Sequence, residues 1–138
     1  KIENMKRILL IICLVISSTP VLSQENYAEI SFKETLIDYG TIENGDDGKK
    51  TFEFKNTGNS PLIFSRIFSS CGCTIPKKPE KPIQPGESGT IEVEYDTKRT
   101  GLFQKAITVN SNAKTPNVIL RIKGEVLPEP EEDQEEEK

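Results

Sequence analysis

The chain has 138 residues, enough for one domain with tails, and it contains no His, no Trp and only three Cys. Without His, the chain cannot build a Ser-His-Asp triad, a Cys-His pair or a His metal site, so we expect neither an enzyme nor a bound cofactor. Residues 24–127 carry equal numbers of basic and acidic side chains. This segment therefore lacks the basic excess typical of nucleic-acid binding, and we expect no nucleic-acid partner.

Residues 1–23 are predicted to be a secretory signal region, with the true start at Met5. Met5-Lys6-Arg7 supplies positive charge, and 8–16 is an apolar run too short to span a bilayer. Val21-Leu22-Ser23 has the small-residue pattern of a cleavage site, and a short membrane anchor is the alternative. We therefore expect export to a periplasm, to the cell envelope or out of the cell, with no transmembrane segment after cleavage.

Cys13 lies within the apolar run and follows Ile12, whereas a lipid-anchor signal needs a small residue before its Cys. Cys13 is therefore expected to leave with the signal. The remaining chain would carry two cysteines, and an even number in an exported protein fits one disulfide.

Residues 24–127 alternate apolar and polar side chains in short runs, and no run has a convincing helical period. Turn-forming residues separate the runs. Seven short strands in about 100 residues predict an all-β fold, a seven-stranded antiparallel immunoglobulin-like sandwich. The predicted strands are 28–33, 36–42, 49–55, 62–68, 90–95, 102–109 and 118–126.

Three of the connections have recognisable turn chemistry. Residues 44–48 and 56–61 are rich in Asn, Asp and Gly, which tolerate a positive φ. In Pro85-Gly86-Glu87, Pro suits the second position of a turn and Gly suits the third.

Residues 76–88 interrupt the strand pattern with a Pro at every third position from Pro76 to Pro85. Because Pro removes a ladder donor, we expect an extended, polyproline-like segment along the surface or a sheet edge and not a central strand. We favour a long connection stiffened by prolines. The functional alternative is a basic docking segment for a protein partner, whose contact residues would be Lys77, Lys78, Pro79, Lys81 and Pro82.

Residues 128–138 are almost all acidic and have no apolar side chain except Pro. Such a segment cannot bury surface, so a disordered solubilising tail or spacer is predicted. Contact with a basic surface and weak Ca²⁺ binding are the alternatives, although carboxylates without fixed spacing do not form a Ca²⁺ loop.

Cys71-Gly72-Cys73 is the single candidate site for thiol chemistry after residue 23. In an extended strand the two Cα atoms would lie about 6.5 Å apart, near the upper limit for a disulfide, and Gly72 can bring them closer. The pair could be a local disulfide or buried thiol pair, or a labile dithiol that exchanges with a partner. It could also capture a soft metal such as Cu(I) through two thiolates. No adjacent Lys, Arg or His would lower a thiol pKa.

The residues that carry a family resemblance form a series between 32 and 124: Phe32, Asp38-Tyr39-Gly40-Thr41-Ile42, Phe52-Glu53-Phe54-Lys55-Asn56-Thr57-Gly58-Asn59-Ser60-Pro61-Leu62, Ser70-Cys71-Gly72-Cys73-Thr74, Pro82-Ile83-Gln84-Pro85-Gly86-Glu87, Val93-Glu94-Tyr95-Asp96-Thr97, Gly101, Ile107-Thr108-Val109-Asn110-Ser111-Asn112 and Gly124. With this series the chain resembles the bacterial "domain of unknown function" family numbered fifteen seventy-three, within the Ig-like domains of the Hydin and major-sperm-protein type. Tyr39 stands where many relatives carry Phe, which is a conservative difference.

The resemblance implies an exported Ig-like sandwich and no specific activity, and its wider relatives mostly mediate protein interactions. Our leading hypothesis is a non-enzymatic module that binds or scaffolds protein partners in the cell envelope. The alternative is thiol-redox or Cu(I) handling by Cys71 and Cys73.

Overall fold

The structure, a computed structural model, describes residues 2–4 and 25–129. The predicted signal region from Met5, Cys13 and the acidic tail from 130 onward lie outside these residues. The described part contains eight strands: β1 (Ile30–Phe32), β2 (Leu36–Ile42), β3 (Lys49–Asn56), β4 (Phe64–Ser69), β5 (Thr74–Lys77), β6 (Ser88–Tyr95), β7 (Gly101–Ser111) and β8 (Asn117–Val126).

The strands form two four-stranded sheets that pack as a sandwich, which confirms the predicted all-β fold. Sheet one has the order β1-β3-β6-β5, and sheet two has the order β2-β8-β7-β4. The predicted count of seven strands is wrong, because Thr74–Lys77 adds a strand at the edge of sheet one. The prediction of a purely antiparallel fold is also wrong, because β2 and β8 pair in parallel.

The core lies between the sheets and follows the predicted alternation. In β3 the inward positions are Phe52 and Phe54, and in β6 they are Ile91, Val93 and Tyr95, all buried. Fully burying one such aliphatic or aromatic side chain contributes about 1.5–3 kcal/mol. Alternation along each strand therefore places these side chains between the two sheets, where their burial stabilises the sandwich.

Three aromatic rings close one end of the core. The rings of Tyr95 and Phe103 stack with centroids 3.8 Å apart, and Tyr39 meets Phe103 edge-on at 5.4 Å. The Tyr39 hydroxyl donates a hydrogen bond to the Gly48 carbonyl (2.8 Å), so the buried phenol has a partner. Burial, with a smaller contribution from Asp47, raises the pKa of Tyr39 to about 12.

The Pro85-Gly86 turn is confirmed: Gly86 has a φ of +82°, and the Glu87 N–H donates to the Gln84 carbonyl (3.0 Å). In the other two turn regions only Gly45, at +86°, has a positive φ. A Cβ on Gly58 would instead collide with the backbone around Tyr27. The positive φ predicted for 56–61 is therefore wrong. Gly58 is needed there because the chain at Tyr27 passes too close for a Cβ.

Candidate functional site at the crossing between the sheets

Cys71-Gly72-Cys73 lies where the chain crosses from one sheet to the other. β4 is an edge strand of sheet two, β5 is an edge strand of sheet one, and residues 70–73 connect them. The motif therefore joins two edge strands along one side of the sandwich. The sequence indicated a strand end here but contained no sign that the chain changes sheets.

The two sulfurs lie at disulfide-bonding distance, and their Cα atoms are 5.3 Å apart. This separation lies within the usual range for disulfides and is shorter than that of an extended strand, so the backbone bends as Gly72 was expected to allow. A disulfide carries no thiolate, so in this state the pair offers a soft metal none of the ligands that Cu(I) binding requires.

The two cysteines differ in exposure. Cys73 is 3% exposed and belongs to the core, whereas Cys71 is partly exposed at the edge of the core. Gly72 is exposed, and no heavy atom lies within 4 Å of the place where its Cβ would be. Solvent therefore reaches this corner from the side of Cys71 and Gly72.

Backbone hydrogen bonds hold the corner from both sheets. The Ser70 N–H donates to the Ala106 carbonyl of β7 (3.0 Å). The Asp96 N–H, which follows β6, donates to the Cys73 carbonyl (2.8 Å). The two ends of the segment 70–73 are thus held by contacts that do not involve the sulfur atoms.

The hydrogen bond at Ser70 also shows which backbone groups of β4 have no partner in the ladder with β7. In an antiparallel ladder, hydrogen-bonded and non-hydrogen-bonded pairs alternate. Because the Ser70–Ala106 pair is hydrogen-bonded and β4 keeps the same register with β7, Ile67 and Ser69 occupy non-hydrogen-bonded positions. Their N–H and C=O groups point away from β7, and we call these four groups the free edge of β4.

The neighbouring edge strand β5 offers fewer outward backbone N–H groups than β4. The hydrogen bond between Asp96 and Cys73 makes Thr74 and Pro76 the non-hydrogen-bonded positions of the β5–β6 ladder. Pro76 therefore costs β5 no bond to β6, but it removes an N–H from the outer side. This is the reason that a strand containing Pro forms here, at a sheet edge, where the sequence predicted an extended segment along the surface or an edge.

The proposed docking residues are partly engaged within the domain. Lys77 pairs with Glu92 (2.9 Å), which raises the pKa of Lys77 and lowers that of Glu92. Lys78 donates through Nζ to the Phe64 carbonyl (3.2 Å). Pro79 is partly buried, and Lys81 and Pro82 are exposed. Two of the three basic side chains thus have partners on the same domain, which favours the interpretation as a stiffened connection.

The end of this connection is attached to β4 as well. Leu62 and Ile83 exchange two backbone hydrogen bonds, of 2.8 and 2.9 Å, in an isolated antiparallel bridge. Together with Lys78 on Phe64, this bridge covers the beginning of β4. The free edge of β4 at Ile67 and Ser69 lies at the other end of the strand, next to the cysteine corner.

Asn56 is a structural centre that the sequence analysis assigned only to a turn. It is fully buried, and its Nδ2 donates to the carbonyls of Ser60 (2.8 Å) and Ile83 (2.9 Å). Its Oδ1 accepts the Gly58 N–H (3.0 Å). The alternation of Phe52 and Phe54 in β3 puts position 56 on the same inward face, so the burial of this amide could have been predicted.

Two surface grooves lie away from the crossing. One, of about 400 Å³, is lined in part by Phe32, Phe54 and Gly89. The other, of about 550 Å³, includes the ion pair of Asp38 with Lys123 (3.1 Å). Within residues 2–4 and 25–129 no three His, Cys, Asp or Glu side chains are grouped to hold a metal, and no helix there is long and apolar enough to cross a membrane. Neither groove brings together groups that suggest chemistry.

Comparison with known proteins agrees with this fold. A family model described as "Protein of unknown function (DUF1573)" matches residues 30–126. No curated protein matches the chain significantly. A protein of unknown function from Porphyromonas gingivalis W83 is similar in structure, with a TM-score of 0.65, 19% identity, and coverage of 78% of this chain and 51% of that one. The chain thus spans about half the length of that protein.

Two further solved structures share the sandwich. The ASH/PapD-like domain 7 of human CEP192 gives a TM-score of 0.63 at 8% identity, with 81% of this chain and 94% of that chain covered. A chain of the CsuC–CsuE chaperone–tip adhesion subunit pre-assembly complex of Acinetobacter baumannii gives 0.52 at 12% identity, with 72% and 57% covered. At such identities the likeness establishes an Ig-like, PapD-like fold and nothing about activity.

Proposed function

The chain belongs to the family described as protein of unknown function (DUF1573), and we propose that it is an exported, non-enzymatic module that binds a protein partner. The partner's extended segment adds to the free edge of β4. The observation that carries this proposal is that the N–H and C=O groups of Ile67 and Ser69 point away from β7 at an edge with no further strand among the described residues.

The other edges are less suitable for strand addition. β1 has only three residues, and β2 has a register shift in its middle, between Asp38 and Thr41. Short length and such irregularities both protect an edge. In β4 the shift lies at the beginning, between Phe64 and Arg66, so the ladder is regular from Arg66 onward.

The outer face beside β4 suggests what the partner segment carries. Phe68 is 37% exposed and lies opposite Thr108, which in turn lies opposite the 49% exposed Ile119. The Arg66 guanidinium lies 4.5 Å from the centre of the Phe68 ring and forms no ion pair among the described residues. An added strand would place an apolar side chain opposite Phe68 and, two residues away, an acidic one opposite Arg66.

Other observations support the remaining parts of the proposal. The absence of His from the sequence removes the commonest acid–base group, which favours a binding role over catalysis. The run after Met5 has the features of a secretory signal. A protein of similar fold occurs in a complex with an adhesion subunit, although this analogy concerns the fold alone.

The test uses a synthetic peptide of alternating Thr and Val in which one Glu lies two residues from a Val. We compare Ser69→Pro with Ser69→Ala, because both lose the hydroxyl but only the Pro variant loses the outward N–H. We expect the peptide to shift the backbone NMR signals of 66–69 in the wild type and in Ser69→Ala, and to have at least about tenfold weaker affinity for Ser69→Pro.

Circular dichroism and urea unfolding establish that both variants remain folded before binding is compared. A peptide with the Glu changed to Lys should bind more weakly, since it places two positive charges together. Equal binding by Ser69→Pro and Ser69→Ala, or signal shifts confined to β1, would contradict the proposed edge.

A further inference from the structure

The cysteine corner has the arrangement that a reversible disulfide requires, independently of the proposed edge. Ser70, just before Cys71, donates a hydrogen bond to Ala106, and the Cys73 carbonyl accepts one from Asp96, so both ends of the motif are held by the backbone. A loop closed across a single residue also removes little entropy from the unfolded chain. Opening this disulfide should therefore leave the sandwich folded and the two thiols close together.

The difference in exposure distinguishes the two sulfurs chemically. Cys73 is only 3% exposed as a residue, so an incoming thiol cannot approach it without moving the core. Cys71 is partly exposed, and Gly72 beside it has no neighbouring atoms within 4 Å of its missing Cβ. Access, which together with thiolate character governs thiol exchange, thus favours Cys71.

We propose that Cys71 and Cys73 form a two-electron thiol–disulfide exchange site for a protein dithiol, in which Cys71 forms the mixed disulfide. The partner's first thiolate attacks Cys71 Sγ, the Cys71–Cys73 bond breaks, and the electron pair goes to Cys73 Sγ, which takes up a proton. The hydroxyl of Thr74, 3.9 Å from Cys73 Sγ, is positioned to form a hydrogen bond with that sulfur.

The partner's second thiolate then attacks its own sulfur in the mixed disulfide and releases Cys71 as a thiolate. The partner's dithiol has become a disulfide, and this protein has gained two electrons as two thiols. The reverse sequence begins with the thiolate of the more accessible Cys71 and reduces a partner disulfide. Cys73 is the resolving residue in that direction, because it lies next to the mixed disulfide but is shielded from the solvent.

The first experiment compares single-cysteine variants of residues 24–138. Cys73→Ser retains Cys71, and Cys71→Ser retains Cys73; each folded variant is treated with glutathione disulfide, and adduct formation is followed by mass spectrometry. We expect Cys71 to form the adduct at least about tenfold faster than Cys73. Equal rates, or faster reaction at Cys73, would overturn the assignment of Cys71.

A second experiment uses the wild-type protein and does not depend on the folding of the variants. A synthetic peptide with two cysteines serves as the dithiol, and the reduction rate is measured in low concentrations of urea. Exchange in the folded state predicts a rate that is nearly independent of urea and a mixed disulfide that maps to Cys71. A rate that rises in parallel with the unfolded fraction would show a purely structural disulfide and overturn the proposal.

Failure here is distinguishable from failure of the binding proposal. The Thr-Val peptide of the edge experiment has no cysteine, and its binding is measured with the disulfide intact. The exchange reactions use no strand-forming peptide. Either result can therefore be positive while the other is negative.

Discussion

The Asn56 side chain donates a hydrogen bond to the Ile83 carbonyl across 2.9 Å and 27 residues of sequence. This bond connects the end of β3 to the far end of the proline-spaced connection. The Ile83 carbonyl also accepts the Leu62 N–H (2.8 Å), and Asn56 itself is fully buried. The Asn56 amide thus acts together with the Leu62–Ile83 bridge to fix the end of this connection.

Replacing this amide should destabilise the domain markedly. Asn56→Ala removes both donors of the buried Nδ2 and leaves the partly buried Gly58 N–H without its acceptor, so we expect the free energy of unfolding to fall by about 3 kcal/mol. Asn59 is the matched control, because its side chain also bonds to backbone groups but is exposed. Asn59→Ala should cost less than about 1 kcal/mol in the same urea titration. Equal losses in the two variants would contradict the role assigned to Asn56.

Pro76 should prevent a second chain from adding a strand to the edge at β5. Pro76→Thr restores an N–H on the outer side of β5 without changing the bonds to β6, so we expect increased self-association. Sedimentation velocity over a concentration series measures this. Pro79→Thr, which lies beyond the end of β5, should remain as monodisperse as the wild type. A monodisperse Pro76→Thr protein would show that the side chains, and not Pro76, protect this edge.

The Tyr39 phenol should make stability depend on pH under alkaline conditions. Burial raises the pKa of Tyr39 to about 12, whereas the pKa in an unfolded chain is about 10. Below pH 10 both states are neutral; between pH 10 and 12 only the unfolded chain ionises, so up to about 2.7 kcal/mol of the unfolding free energy is lost as the pH rises. Urea unfolding at pH 9 to 12 measures the slope.

Tyr39→Phe should remove this contribution. At pH 7 it should cost only about 1 kcal/mol, because the Gly48 carbonyl still accepts the Tyr95 N–H (3.0 Å). Tyr95, whose pKa is also raised by burial, would still contribute some pH dependence. An unchanged slope in Tyr39→Phe would show that Tyr39 ionises equally in the folded and unfolded states.

Gly58 and Gly72 should respond very differently to the same substitution. A Cβ at Gly58 would collide with the backbone of Tyr27 and Ala28, so Gly58→Ala should destabilise the fold by about 2–3 kcal/mol. Gly72 has an open environment and no positive φ, so Gly72→Ala should change stability by less than about 1 kcal/mol. Thermal unfolding of the two variants beside the wild type tests this contrast.

The sequence alone determined the local features of this protein. The alternation in 49–55 and 90–95 predicted β3 and β6 with their inward residues, because side chains alternate between the two faces of a strand. Pro85-Gly86 predicted its turn because only Gly readily adopts the required φ. The residue content also identified Cys71 and Cys73 as the single candidate thiol pair after residue 23.

Only the tertiary structure decided how these local features combine. The parallel pairing of β2 with β8, the pairing of β5 with β6, the hydrogen bond from Asn56 to Ile83 and the place of Cys71-Gly72-Cys73 between two sheets all depend on residues far apart in the chain. A period-two pattern shows which face of a strand is buried, but it contains no information about the neighbouring strand. Long-range pairing therefore set which edge is open and which of the two cysteines is the more exposed.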